Sequence, residues 1–506
     1  MTTKMKSNAK VQIRLEPLGR VIEVDAGSAL KDILFEQGVE FPCGGRGVCR
    51  KCRIKILKGN LKVNEIQKKA LTSEEISQGW RLACQCQVTE PLVIELAQLE
   101  IPILSDVTRI KLVGESGLAV VVDLGTTTLV AQLLDLSSGI VLGVETALNP
   151  QARHGADIMS RIQFGLTTAG RELLQNLIRH QIGQMITRLV EKCRCPERRL
   201  KQINIVGNSV MHHLFGGLSV EPLALLPFEI EQPGELEWSA EEIGWQLPGN
   251  PKVKFLPCLG GFVGSDILAG ILAVGMHRSP ETVALIDLGT NGEIVIGNRD
   301  RILCASTAAG PAFEGAQITM GMRATTGAIW KVWLTNGQLQ VEVIGNVPAR
   351  GICGSGLVDA VAAALDLGWI DPTGRITLPK REIPLQKPVV ITQSDIRELQ
   401  LAKGAIAAGI QILRKQMQLK PADIKQVFLA GAFGNYINVV SARRIGLFDF
   451  PTELIEQAGN TALHGAKLSL LNEQEYHSIP LITKHFPLAT DAQFMEIFAE
   501  NMNFPG

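Results

Sequence analysis

The cysteines near the start of the chain have the spacing of a metal-binding set. Cys43, Cys49 and Cys52 are separated by five and by two residues, and after a long gap come Cys84 and Cys86. Four thiolates complete the coordination of two sulfide-bridged irons. The first loop contains Gly44-Gly-Arg-Gly47, whose glycines let the backbone wrap closely and turn N–H groups toward sulfur. A structural zinc site usually pairs two short knuckles, and only one Cys-x2-Cys occurs here. Disulfides are disfavoured in a reducing compartment. The set therefore points to a [2Fe–2S] cluster on Cys43, Cys49, Cys52 and either Cys84 or Cys86. Residues 84 and 86 would share a face in a strand, so spacing leaves the choice open.

A second chemistry is written twice. Asp123-Leu-Gly-Thr-Thr-Thr128 lies between two apolar runs, and Asp287-Leu-Gly-Thr-Asn-Gly292 repeats it. Each reads as a hairpin with a glycine, Gly125 or Gly289, at its tip. Tip N–H groups and threonine hydroxyls can cradle phosphate oxygens, and an aspartate at the strand end can hold Mg²⁺ through water. One Asp-x-Gly-Thr arises by chance; two in matching contexts would grip a nucleotide from both sides. Val427-Phe-Leu-Ala-Gly-Ala-Phe-Gly434 is a strand entering a glycine turn, open to a flat adenine or ribose. Ile205-Val-Gly-Asn208 ends in a polar turn suited to lining the phosphates.

The elements that must carry these groups follow. Val11–Leu15 alternates at period two and, with Val21–Val24, reads as a hairpin through Pro17-Leu-Gly19. Ser28–Gln37 reads as a short helix with Ser28 as its cap. Strands are expected at 52–57 and 92–96. Residues 98–116, with Pro102 and Gly114, read as a linker. The echo of 121–126 at 285–290 implies two related halves. The expected organisation is a cluster domain over 1–97, a linker over 98–116, a first lobe over 117–280, and a second lobe over 281–506 with a C-terminal extension. From about 440 only helical stretches are legible, and 495–506 is expected to fray.

Other segments divide between functional and plain readings. Gly351-Ile-Cys-Gly-Ser-Gly-Leu-Val358 is a glycine turn opening a helix, an anion site or tight packing in equal measure. Glu314, in Ala309–Gly315, would assist water or be a solvated loop acid. Asp157 and Arg161 read as a local ion pair, and His212 and His213 as structural. Cys193, Cys195, Cys258, Cys304 and Cys353 read as small buried hydrophobes.

The whole chain has 506 residues, 46% hydrophobic and 20% charged, with 50 basic and 50 acidic side chains. That suits a globular protein of several domains and gives no support to a nucleic-acid or membrane partner. Arg46, Arg50, Lys51, Arg53, Lys55 and Lys58 gather around the cysteines, as a solvated face or a docking surface for an acidic partner. No leader or apolar span is visible, so cytoplasm is the expected compartment.

Residues 10–98 resemble the adrenodoxin and putidaredoxin group of ferredoxins, in the five-then-two spacing and in Leu82-Ala-Cys-Gln85. That resemblance implies a β-grasp fold and selects Cys84 as the fourth ligand. Residues 118–440 resemble the actin, hexokinase and sugar-kinase superfamily. This implies two ribonuclease-H-like lobes with ATP between them, Asp123 and Asp287 as metal- and water-orienting acids, and Thr126, Thr127, Thr290 and Asn291 on phosphates. It also implies Gly431 and Gly434 near adenosine. The full order resembles the reductive activators of corrinoid proteins, in Val206–Ser209, Pro311–Gly315 and Gly351–Gly356 as well. That resemblance implies ATP-dependent reduction of Co(II) corrinoid to Co(I), a corrinoid protein of a methyltransferase system as partner, an upstream electron donor, and a homodimer. The linker is short for that family. A [2Fe–2S] centre of plant-type ferredoxin potential sits near about −400 mV, and each ~59 mV uphill costs tenfold for one electron; nucleotide binding could favour the transfer-competent state. Two alternatives are a small-molecule kinase using Asp157 or Asp266 as base, and a donor to another low-potential enzyme. A third is a redox-sensing scaffold.

Overall fold

The computed structural model describes residues 10–96, less 17, 18, 36, 38, 40, 42–44 and 49–51, and residues 116–506, less 156, 194–198 and 290. Cys43, Cys49, Thr290 and all but Ser116 of the expected linker lie outside the described residues. The chain divides into two compact units, Met1–Ile101 with Ala152–Asp157, and Pro102–Gln151 with Ile158–Gly506.

The first unit is a five-stranded sheet. Strands β1 (Lys10–Glu16) and β2 (Arg20–Asp25) form the expected hairpin, pairing Lys10 with Asp25 and Leu15 with Arg20. Helix α1 (Leu30–Phe35) follows, then β3 (Arg53–Lys58), α2 (Glu65–Ala70), α3 (Ser73–Ser77), β4 (Trp80–Leu82) and β5 (Leu92–Leu96). The sheet order is β2-β1-β5-β3-β4, with β1 and β5 parallel. Alternation buries Val11, Ile13 and Leu15 on β1 and Leu92, Ile94 and Leu96 on β5. The helix begins at Leu30, so Ser28 does not cap it; the Ser28 backbone bonds Asp25 and Val88 instead. Asn64 caps α2 and a Thr72–Glu75 capping box starts α3.

The second unit holds two six-stranded sheets. The first contains β6 (Leu118–Leu124), β7 (Thr128–Asp135), β8 (Val141–Leu148), β9 (Leu200–Gly207), β10 (Leu236–Ser239) and β11 (Lys252–Phe255), in the order β10-β11-β9-β6-β7-β8. Helices α4 (Ile158–Gly165), α5 (Thr168–Cys193) and α6 (Ser209–Gly216) contribute to its apolar core. Helix α7 (Ser265–Ala273) precedes β12 (Thr282–Leu288), β13 (Gly292–Gly297) and β14 (Ile302–Thr307). A smaller sheet of β15 (Ala328–Thr335), β16 (Gln338–Val343) and β17 (Gly351–Ile352) leads into α8 (Gly354–Asp366). Then come β18 (Glu382–Pro384), β19 (Val390–Thr392), α9 (Gln393–Gln416), β20 (Ile424–Ala430), α10 (Gly431–Gly434) and α11 (Val439–Arg444). The chain ends with β21 (Ile455–Gly459), α12 (Thr461–Ser469), α13 (Glu473–Ile482), β22 (Thr483–His485) and α14 (Phe494–Met502).

The second six-stranded sheet runs β21-β20-β12-β13-β14-β22. In both large sheets a three-stranded antiparallel meander is continued from its first strand by parallel strands. The sequence echo is thus an echo of topology. The segment after residue 440 is built into the fold: it supplies β21 and β22, which close opposite edges of the second sheet. Residues 495–506 are held as well. Gln400 Nε2 donates to Met502 O at 2.8 Å, Lys403 Nζ donates to Asn503 O, and Phe504 is buried.

Between the two sheets, α7 and α12 pack against each other. A Cβ on Gly465 would lie 1.9 Å from Ala269 O, so only glycine permits this approach. Val121, Val130, Leu268, Leu285 and Leu463 share one core that joins both sheets through these helices. No helix among the described residues is long and apolar enough to cross a membrane.

Candidate functional site

The cysteine site is described on one side. Ala83 N donates to Cys52 O at 2.9 Å, which ties the turn bearing Cys52, just before β3, to the 3₁₀ turn Ala83–Gln85 bearing Cys84. Gln85 Nε2 donates to Gly45 O at 2.7 Å and lies 3.6 Å from Cys84 Sγ. A Cβ on Gly45 would sit 3.9 Å from Cys84 Cβ, so the glycine loop borders that thiol. Gly45 and Gly47 adopt φ of +86° and +78°, the left-handed wrap expected of the loop. Cys86 is buried: its thiol donates to Leu82 O at 3.3 Å, and burial pushes its pKa up to about 12. A thiol so held resists becoming the thiolate that iron needs. The donor set around Cys52, Cys84 and the Gly45 loop therefore fits an iron–sulfur cluster. Of the basic residues nearby, Arg53 is committed to Glu75 at 2.7 Å and to the face of Trp80.

In the second unit the two hairpins bring their acids together. Asp123 stands opposite Val130, one residue before the end of the β6–β7 pairing, and Asp287 stands directly opposite Glu293 across β12 and β13. Asp266, at the start of α7, joins them. Burial and the neighbouring carboxylates raise all four: Asp123 to about 6 by burial, Asp287 to about 7 by burial and Asp123, Asp266 to about 8 by burial, Asp287 and Asp123. Glu293 lies well above its usual range through burial, Asp287 and Asp266. Burial and mutual repulsion thus hold these carboxyls above the usual carboxylate range.

The phosphate-loop residues divide by role. Thr126 Oγ1 accepts from Asn208 Nδ2 at 2.9 Å, while Asn208 Oδ1 caps α6 by accepting from Met211 N. Asn208 thus braces the first loop. Buried Asn149 does the same, donating to Gly125 O at 2.9 Å and accepting from Gln151 N. Gly289 N donates to Asn291 O at 3.1 Å inside the second tip. Gly431 has φ +80°, and a Cβ there would lie 2.5 Å from Asp287 Oδ1, so any side chain would displace the acid. Gly434 packs over Leu429 and Leu288. Asn149 N donates to Thr127 O at 2.8 Å, a further tie between Asn149 and the first loop.

The ambiguous segments resolve toward packing. On α8, Cβ atoms at Gly354 and Gly356 would fall 1.8 Å from Phe313 O and 2.3 Å from Ile329 O; the glycines serve close contact. His212 and His213 are buried, bonded to Gly234 O and Ser209 O. Cys258, Cys304 and Cys353 are buried, whereas Cys193 is half-buried; Cys195 lies outside the described residues. Asp157 is exposed, and Arg161 is buried.

Glu293 and Asn460 were not legible as site residues. Glu293 could have been found by counting across the second hairpin from Asp287. Asn460 donates from Nδ2 to Asp123 Oδ2 at 2.9 Å across 337 residues of chain, and no local pattern announces it.

The acid cluster sets a pH dependence. A carboxyl whose folded pKa is raised keeps its proton in the folded state while the unfolded chain has lost it. Its stabilising contribution is therefore full below about pH 4 and is lost as pH rises through about 8 for Asp266. Without divalent cations, Asp266→Asn is expected to raise the melting temperature at pH 8 by about 2–4 °C and to leave it little changed at pH 4. Calorimetry at the two pH values checks this; equal shifts at both would refute it.

The chain thus joins a ferredoxin-type sheet in one unit to paired acid hairpins on twin sheets in the other. Comparison with known families names the class. A 2Fe-2S iron–sulfur cluster binding domain matches residues 13–89, the RACo middle region matches 118–279, and the C-terminal ASKHA domain of RACo matches 281–506. The corrinoid activation enzyme RamQ of Eubacterium limosum is 39% identical over 417 residues, 76% of this chain and 69% of that protein. The [Co(II) methylated amine-specific corrinoid protein] reductase of Methanosarcina barkeri is 26% identical over 421 residues, 76% of each. The solved structure of a reductive activator for corrinoid, iron–sulfur protein superposes with a TM-score of 0.68 at 27% identity, covering 98% of both chains. The chain belongs to the family of reductive activators of corrinoid proteins.

Proposed function

We propose that this chain is an ATP-dependent reductive activator that returns an inactive Co(II) corrinoid protein of a methyltransferase system to Co(I). The reaction adds one electron to cobalt, drawn from an upstream donor. The observation that carries the reading is the joining of a ferredoxin unit to paired acid hairpins in one chain that aligns end to end with a corrinoid activator. Cys43, Cys49, Cys52 and Cys84 would hold the [2Fe–2S] cluster, which supplies a one-electron carrier of low potential. Asp123 and Asp287 would hold Mg²⁺ and orient water, with Gly125, Thr126, Thr127, Gly289, Thr290 and Asn291 along the phosphates. Asn208 braces the first loop, and Gly431 and Gly434 give adenosine close approach to β20.

ATP acts here by differential affinity. A ligand shifts a two-state equilibrium only as far as it binds one state better. Asp123 and Asp287, one from each lobe, would hold Mg²⁺ with the nucleotide, so Mg-ATP would favour the arrangement in which both acids face it. The test is anaerobic. The reduced protein is mixed with a Co(II) corrinoid protein, and Co(I) absorption is followed with and without Mg-ATP. Co(I) that forms only with Mg-ATP supports the proposal. Absence of Co(I) from a fully reduced cluster with several corrinoid proteins overturns it.

A further inference from the structure

Helix α12 is attached to the first sheet at both of its ends, although it follows that sheet by more than two hundred residues of chain. At its start, the two ends of one amide do different work. Asn460 Oδ1 accepts from Leu463 N at 2.8 Å and caps the helix; Nδ2 donates to Asp123 Oδ2 at 2.9 Å. At its far end, Ser469 Oγ accepts from Asn204 Nδ2 on β9 at 2.9 Å. The helix between is seated by Leu463 and Ala466, both fully buried, and by the Gly465 contact with Ala269. Asn460 is thereby fixed by its cap bond, its helix and the helix's packing. Its free-swinging alternatives are removed before Asp123 is considered.

We propose that Asn460 is a positioning residue for Asp123: its amide fixes one carboxylate oxygen and so sets the plane in which the other meets the metal's water. The inference rests on the nucleotide reading of the acid cluster. A hydrogen bond to a charged oxygen that is in place before the metal arrives lowers the reorganisation needed in turnover. Because the donor rides on α12, the orientation of Asp123 also depends on a helix contributed by the C-terminal part of the chain.

The test separates the two ends of the amide in the full-length, cluster-loaded protein. Serine caps a helix about as well as asparagine but cannot reach Asp123 with an amide donor. Asn460→Ser is expected to melt within about 1–2 °C of the parent protein. At saturating Mg²⁺ its kcat for ATP hydrolysis should fall roughly tenfold or more, with KM for ATP within about twofold. Its affinity for Mn²⁺ in the presence of a non-hydrolysable ATP analogue, read by EPR of free Mn²⁺, should fall several-fold. Asn460→Asp keeps the cap and sets a second carboxylate against Asp123, so its kcat should fall further. Asn460→Ala should lose both kcat and melting temperature. A serine variant with parental kcat and Mn²⁺ affinity would overturn the proposal and leave Asn460 as a cap alone. A parent protein that neither binds Mn²⁺ with the analogue nor hydrolyses ATP would overturn the nucleotide reading together with it, a result distinct from the first.

Discussion

Asp287→Asn is expected to lower ATP turnover by roughly 10²–10³-fold while leaving the fold intact or firmer. Asp287 lies one residue before the end of β12, opposite Glu293, beside Asp123 and under Gly431. Asparagine keeps its shape and removes the charge that a divalent cation would need. In the metal-free chain, that charge is a burden. The folded carboxyl titrates near 7, so above that pH it must ionise beside its neighbours, and the proton-linked stability present below about pH 4 is gone. The variant should therefore melt higher than the parent at pH 8, by more than it does at pH 5. Steady-state ATPase assays with matched melting curves check both parts. Turnover within threefold of the parent would remove Asp287 from the catalytic set, and a lower melting temperature at pH 8 would contradict the charge argument.

Cys84→Ser and Cys86→Ser should part completely. Cys84 sits in the turn tied to Cys52 and bordered by the Gly45 loop. Its replacement is expected to abolish the visible absorption and the reduced-state EPR signal of the cluster, and with them all reduction of the corrinoid. Cys86 is buried with its thiol on Leu82 O and within reach of Gln67. Serine there can still donate to that carbonyl but loses apolar contact, so the cluster should persist and the melting temperature fall by about 2–4 °C. Spectra of the two purified variants decide the matter. A cluster that survives Cys84→Ser and vanishes in Cys86→Ser would transfer the ligand role to Cys86.

Local patterns carried much of this architecture. Alternation marked β1, and the repeated Asp-Leu-Gly-Thr marked two sheets built on the same antiparallel meander with parallel strands beside it. The same patterns fell silent where the partners are remote. Strand β22 spans only Thr483–His485 and joins β14 across some 180 residues, too short for any period to show. Strand β21 enters the second sheet in parallel beside β20, a pairing with no turn to signal it. The C-terminal helix did leave a trace, since Phe494, Ile497 and Phe498 form an apolar stripe at helical spacing, yet its docking on α9 had to be seen. At the site, the acids at strand ends were readable because each closes a hairpin. Asn460 was not, because a cap looks the same in sequence whether or not its other end reaches an acid.

The late arrival of β22 bears on how the protein comes into being on the ribosome. The five-stranded unit has all its strands once residue 96 has been made, whereas the second large sheet waits for residues 483–485 to cover the outer edge of β14. Domains generally fold as units in the order of synthesis. The five-stranded sheet can thus form while translation of the nucleotide machinery is still under way, and the acids of that machinery meet their last helix only near the end of the message. A nascent chain stalled before residue 460 would be able to carry iron before it could be expected to turn over ATP.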